Sequence, residues 1–208
     1  MTDSERIETA IAGDDERAFA QLFTEHRERL KQMLHFRMDP RLRARTDLSD
    51  VLQESYIDAY RRLEHYANQP KMSLYVWLRQ VTMQRLIDLH RQHLLADKRD
   101  VRNEVRFRQG DFNPATSAAI AKQFVDQVVT PSQVAIRQEM VSQVEQTLEG
   151  LEELDREVLA LRHFEELRNS EVAEVLGISE AAASNRYVRA LTRLRKDLEK
   201  IPDFFDDE

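Results

Sequence analysis

The chain has 208 residues, enough for one or two domains with a real core, and its lack of cysteine excludes disulfides and thiolate metal sites. Its net charge is −7, from 31 basic and 38 acidic residues, which taken alone argues against a nucleic-acid partner. Four glycines and five prolines, among abundant Leu, Ala, Glu and Arg, predict an almost all-helical protein.

The opening segment MTDSERIETAIAGDDERAF is charged throughout and has no apolar h-region, so no signal peptide is predicted. No run of eighteen apolar residues occurs, so no membrane span is expected and the cytoplasm is the expected location. Three blocks follow. Residues 1–96 carry helical periodicity. Residues 97–135 are mixed, broken by QGDFNP and VVTPSQ, and read as a linker. Residues 136–200 are helical again, and an acidic tail, DFFDDE, closes residues 201–208. The expected architecture is all-α, with two helical domains joined by that linker.

In the first block, Phe19, Leu22, Phe23, Leu30, Met33 and Leu34 give one amphipathic helix, which Pro40 stops. Asp47 is the expected N-cap of the next helix, with Asp50 three residues on in a near capping-box arrangement. Leu48, Leu52, Ser55, Ala59 and Leu63 share one face of it, while Asp50, Gln53, Glu54 and Arg61 share another. Ser73 is placed to cap a third helix, whose buried stripe includes Leu74, Trp77, Leu78 and Val81 and which continues through Arg85, Asp88 and Arg91.

In the last block, Leu148, Leu151, Leu154, Val158 and Leu161 mark one helix. ELRNS is a short connection, and SEVAEVL is a two-turn helix that Gly177 ends. Ser179 then caps a longer helix. This is the layout of a helix-turn-helix. On the second helix Ala183, Tyr187, Leu191, Leu194 and Leu198 form the apolar stripe. Ala182, Asn185, Arg189, Arg193 and Lys196 lie roughly opposite, flanked by Ala181 and Arg186. A recognition helix divides its faces this way. Arginine can bond guanine bidentately and asparagine can bond adenine, while Arg193 and Lys196, further along, suit phosphates. An ordinary helical hairpin with a solvated basic face fits the same pattern.

Charge is unevenly distributed. Residues 139–180 hold twelve acidic and three basic side chains (−9), residues 181–200 hold six basic and two acidic (+4), and residues 71–108 hold nine basic and four acidic (+5). Such clustering reads either as a local footprint for nucleic acid or as solvated helix faces. His90 and His93, with Asp97 four further on, have a spacing that can place ligands on one helix face. No HExxH, P-loop, GxSxG or GxGxxG accompanies them, and surface histidines are the expected reading, with no metal and no cofactor.

Two segments together resemble a known family. LSDVLQESYIDAYRRLEHY (48–66) and LYVWLRQVTMQRLIDLHRQ (74–92) resemble the second region of bacterial sigma-70 family sigma factors. There a helix carrying D-x-x-Q-E docks on core RNA polymerase, and an adjacent helix, patterned roughly W-L-x-x-I-A-x-N-x-x-x-D, opens the −10 element. Here that pattern falls on Trp77, Leu78, Val81, Thr82, Gln84 and Asp88. Residues 154–198 resemble the fourth region, which reads the −35 element. The small two-domain extracytoplasmic function (ECF) subfamily is the match.

The resemblance implies a sigma factor that is not itself an enzyme. Its partners would be core RNA polymerase and promoter DNA, duplex at −35 and single-stranded at −10, with an anti-sigma factor as a candidate third. Asp50, Gln53 and Glu54 would meet polymerase. Lys71, Trp77, Arg79, Gln84, Arg85 and Arg91 would hold the opened −10 strand, although a tryptophan on an apolar stripe also reads as core. Ser179, Ala181, Ala182, Asn185, Arg186, Arg189, Arg193 and Lys196 would face the −35 duplex.

Some positions depart from the family. Gln84 stands where relatives often have Asn, and Met83 where a basic residue is usual. Ala182 and Ser184 replace the usual Thr and Lys. Arg168 replaces a capping serine, so Asn169 or Ser170 is expected to cap. The alternative is a stand-alone helix-turn-helix regulator in which residues 1–96 sense or dimerise.

Overall fold

The structure is a computed structural model that describes residues 3–12, 16–43, 45–96, 117–118, 120–123, 125 and 134–199. Its chain divides into two compact units, Met1–Arg106 and Phe107–Glu208. The described residues form helices and no strand.

In the first unit, α1 spans Asp3–Ala12, α2 Glu16–Arg37, α3 Pro40–Arg43, α4 Leu48–Asn68 and α5 Leu74–Ala96. The stripe predicted for α2 is its buried face, with Phe19, Leu22, Leu30, Met33 and Leu34 all inaccessible. That face packs on α4 and α5. Proline interrupts as expected: α2 ends at Arg37, and Pro40 opens α3, where its missing N–H costs nothing.

Asp47 caps α4, but through the N–H of Ser49, which donates to its carboxylate at 2.8 Å. Small buried residues, Ser55 and Ala59, let α4 approach its neighbours closely, and the Ser55 hydroxyl is satisfied by the Val51 carbonyl at 2.7 Å. Phe19, Phe23, Tyr56 and Tyr60 form an aromatic cluster between α2 and α4, with ring centroids 5.3–6.4 Å apart. α1 packs on α2 and α4 by burying Ile7, and Arg6 forks onto Glu25 of α2 at 2.6 and 2.8 Å.

Helix α5 is central. It buries Leu74, Tyr75, Val76, Leu78, Arg79, Val81, Thr82, Leu86 and His90, which together surround much of its circumference. Trp77 departs from the expected stripe: it is half-buried at the edge of the core, lying flat on Tyr66 at 4.4 Å and 18°. Tyr75 and Val76 take the interior positions instead.

In the second unit, α6 spans Val134–Glu149, α7 Glu153–Leu159, α8 Asn169–Leu176 and α9 Glu180–Leu198. The single helix expected across Leu148–Leu161 is two. The chain turns at Gly150–Leu151, where Leu151 N–H donates to Leu148, and α7 starts afresh at Glu153. The apolar spacing continues through the turn because Leu148, Leu151 and Val158 all enter one core. The Arg156 guanidinium closes this corner on the carbonyls of Leu148, Glu149 and Leu151 at 2.9–3.3 Å, a cation at the carbonyl end of α6.

Helix α7 runs into a π turn at Ala160–Phe164, so that residues 157 to 161 are all buried in succession. Within the stretch expected as linker, Ser117, Ile120, Ala121 and Val125 are buried helical residues. The remaining linker residues, including the basic segment 97–108, and the tail 201–208 lie outside the described residues.

Candidate functional site

The helix-turn-helix is assembled by local chemistry. The position expected for Asn169 or Ser170 is taken by Arg168: its backbone N–H donates to the Glu171 carboxylate at 2.7 Å. An arginine side chain has no acceptor, so Glu171 supplies the only side-chain half of a capping box. Asn169 does other work, donating from Nδ2 to the Glu180 carbonyl at 2.9 Å and tying the start of α8 to the start of α9.

Gly177 ends α8 at φ 64°, in the left-handed region. Its N–H and that of Ile178 donate to the carbonyls of Glu174 and Ala173, the paired bonds of a Schellman turn. A Cβ at Gly177 would meet nothing within 4 Å, so glycine is needed for its backbone and not for space. Ser179 caps α9 as expected, its hydroxyl accepting from Ala182 N–H at 3.2 Å.

α9 packs on α6, α7 and α8 through Ala183, Ala190, Leu194 and Leu198, with Tyr187 and Leu191 half-buried. Its outward face carries exposed Ala181, Asn185, Arg189, Arg193 and Lys196, with Ser179 exposed just before it and Ala182 and Arg186 half-buried at the flank. Ser184, Val188, Thr192 and Arg195 are exposed beside them, Val188 at 60%.

Arg186 and Arg189 are engaged within their own unit. Arg186 Nη1 donates to Asp155 at 2.8 Å and lies 3.5 Å from Glu152. Arg189 forks onto Asp155 from Nε at 2.9 Å and Nη2 at 2.7 Å, and Nη2 also reaches Glu152 at 3.3 Å. The Asp155 side chain is only 5% exposed, in the first turn of α7. Burial would raise its carboxyl pKa, but the hydrogen bonds from Arg189 and Arg186 prevail and hold it below its ordinary value.

In the first unit, Asp50, Gln53 and Glu54 form an exposed ridge on α4, as the periodicity predicts, and Ile57, on the same face one turn on, is exposed with them. Glu54 accepts from Arg85 of α5, which joins the ridge to the helix assigned to the −10 strand. Lys71, Gln84 and Arg91 are exposed. Gln84 donates to Asp88 at 3.2 Å, and the Tyr66 hydroxyl holds the loop before α5 by donating to the Met72 carbonyl at 2.9 Å. Arg79 is only 6% exposed, on the packed side of α5, and does not share that surface.

His90 is buried beside Asp39 and Arg41, not on the surface as expected, and burial holds its imidazole below its ordinary pKa. The His93 side chain and Asp97 lie outside the described residues. Among the described residues no group of three His, Asp or Glu side chains could hold a metal, and no helix is long and apolar enough to cross a membrane.

Comparison with known proteins bears on both units. Residues 22–94 match the family model for Sigma-70 region 2, and residues 142–194 match that for Sigma-70, region 4. The chain is 26% identical to the RNA polymerase sigma-H factor of Pseudomonas aeruginosa over 201 residues, covering 96% of this chain and 95% of the relative. It is 24% identical to the ECF RNA polymerase sigma-E factor of Haemophilus influenzae over 201 residues, 97% of each chain. The solved structure of CnrH in complex with the cytosolic domain of CnrY is similar in fold, with a TM-score of 0.53 and 25% identity over 95% of this chain and 97% of that one. With matched regions in family order, one in each compact unit, the chain belongs to the ECF subfamily of the sigma-70 family of RNA polymerase sigma factors.

Proposed function

We propose that the exposed faces of α4, α5 and α9 divide the work of a sigma factor that binds core RNA polymerase and directs promoter-specific initiation. The observation that carries this reading is the match of residues 22–94 to region 2 alongside a helix-turn-helix matched to region 4. A region 2 match also removes the reading of residues 1–96 as the sensor of a stand-alone regulator. The protein acts in the cytoplasm, and bond formation belongs to the polymerase.

On this reading Asp50, Gln53 and Glu54 dock on polymerase, with exposed Ile57 adding apolar contact one turn further along the ridge. The −10 strand, once unstacked, lies along Lys71, Gln84, Arg85 and Arg91. Cations there follow the backbone, and Trp77, already stacked on Tyr66, offers its open side to a base. Buried Arg79 supports α5 and does not touch DNA.

α9 enters the major groove behind small Ser179, Ala181 and Ala182. Asn185 faces the base edges, and Arg193 and Lys196 meet phosphates. Arg186, at the flank, and Arg189, on the outward face, offer phosphates the donors that Asp155 leaves over. The acidic surroundings of residues 139–180 turn that helix toward the duplex, because phosphates repel the rest of the unit. CnrH is solved with the cytosolic domain of CnrY on it. A protein inhibitor, an anti-sigma factor, that occupies these faces is the third partner we propose for this chain.

The test is co-migration on a sizing column with purified bacterial core RNA polymerase. A stoichiometric complex that opens promoter DNA is expected. No complex, with a tight dimer on duplex DNA alone, would overturn the assignment of α4.

A further inference from the structure

The recognition helix carries two arginines, Arg186 at its flank and Arg189 on its outward face, and both are bonded to one carboxylate. Guanine is read by two parallel N–H donors of a single guanidinium, aimed at O6 and N7. Arg189 has already committed such a pair: Nε and Nη2 fork onto Asp155, and Nη2 is shared with Glu152. Arg186 gives Nη1 to the same two carboxylates, and its side chain is 29% exposed, against 53% for Arg189. Asp155 itself cannot follow the arginines outward, since it is buried in the first turn of α7.

Resting on the reading of α9 as the −35 helix, we propose that Asp155 is a specificity-determining residue. It withholds Arg186 and Arg189 from guanine, so that base choice falls to Asn185 and its neighbours on the outward face. Asp155 acts through the arginines and touches no DNA; it is a positioning residue. Two arginines on a recognition helix would otherwise bias the site toward guanine wherever they reach. A buried carboxylate cancels that bias while leaving the arginines' remaining donors to the phosphates.

The experiment is selection of −35 sequences from a duplex pool, randomised at −35 with a fixed −10 element, by holoenzyme reconstituted from the full chain. Wild type, Arg186→Ala, Arg189→Ala, Asp155→Asn and the double variant Asp155→Asn with Arg189→Ala are compared. For the arginine variants we expect weaker binding to all sequences, with no guanine preference lost. For Asp155→Asn we expect a new guanine preference of about fivefold or more at one or two positions, the lower end of what a bidentate pair gives. The double variant should lose that gain.

Loss of a guanine preference in Arg186→Ala or Arg189→Ala would overturn the proposal, and this comparison does not depend on Asp155→Asn folding. An unchanged motif in Asp155→Asn, with wild-type circular dichroism and polymerase binding, would overturn it too and leave Asp155 a purely structural residue. A wild-type holoenzyme that selects no −35 sequence would instead defeat the reading of α9 itself, before any variant is compared.

Discussion

Both units set arginine on one helix against carboxylate on another, but they do so at different depths. In the second unit the carboxylate is Asp155, 5% exposed, and it holds two arginines of α9 through three bonds of 2.7–2.9 Å. In the first unit Glu54 and Arg85 meet at the surface, with 51% and 33% of their side chains exposed. The depth decides what each pair can do. A buried anchor is shielded from solvent and salt, so the helices it joins are fixed in one arrangement. An exposed pair contributes little to stability and exchanges readily with other charges. Asp155 therefore belongs to the framework that presents α9, whereas the exposed Glu54–Arg85 pair can exchange for the polymerase surface and DNA strand proposed for these two residues.

The sharpest break of this comparison is in stability. Asp155→Asn should destabilise the second unit by about 2 kcal/mol, the scale of hydrogen bonds to a charged group. Glu54→Gln should change the first unit by less than about 0.5 kcal/mol. Urea unfolding of the full chain, followed in each variant, measures both. The Asp155 effect also carries a pH signature. Its carboxyl is held below its ordinary value in the folded chain, so its stabilisation is complete above the unfolded value near 3.9. It is lost as pH falls through the lower folded value. The difference between wild type and Asp155→Asn should therefore be constant near neutrality and close in acid. Equal losses for the two variants at pH 7 would erase the distinction between anchor and exchangeable pair.

A smaller effect tests the turn that sets α9 in place. Gly177→Ala should cost about 1–2 kcal/mol, because an L side chain resists φ 64° even with open space around the Cβ. Gly150, whose added Cβ would lie 3.3 Å from the Thr147 carbonyl, is not in the left-handed region and should cost less when changed to Ala. Thermal unfolding of the two variants side by side gives the order; a larger loss at Gly150 would contradict it.

The parts of this fold that the sequence made legible are those decided within a few residues. Asp47, Gly177 and Ser179 each act on the next turn of chain, and the stripe of α2 repeats often enough to fix its buried face. What was hidden is decided at longer range. Asp155 meets Arg186 and Arg189 across 31 and 34 residues, and no local pattern announces that pairing. The corner at Gly150 was hidden because the leucines on either side keep helical spacing. α5 misled for the opposite reason. As a central helix it buries side chains on several sides, so its stripe is wide, and Trp77 looked interior while Tyr75 and Val76 did not. For the candidate sites, the exposed ridge of α4 and the outward face of α9 were readable from periodicity, but the burial of Arg79 and His90 in α5, and which cations of α9 are held by carboxylates, required the packed units.

The smallest effect separates the cations of α9 from one another. Arg193 and Lys196 stand exposed beyond the reach of Asp155, where they suit phosphates. Replacing either with alanine should weaken promoter binding to a similar degree on every −35 sequence and lower the salt slope of holoenzyme binding by about 1. Arg186→Ala and Arg189→Ala should lower that slope by less, because each guanidinium already faces a carboxylate that offsets its charge toward the duplex. Binding measured against salt for the four variants, on one fixed promoter, orders them. If Arg189→Ala lowers the slope as much as Lys196→Ala, the carboxylates do not offset the charge of Arg189. The depth of Asp155 would then matter for stability and not for how the helix meets DNA.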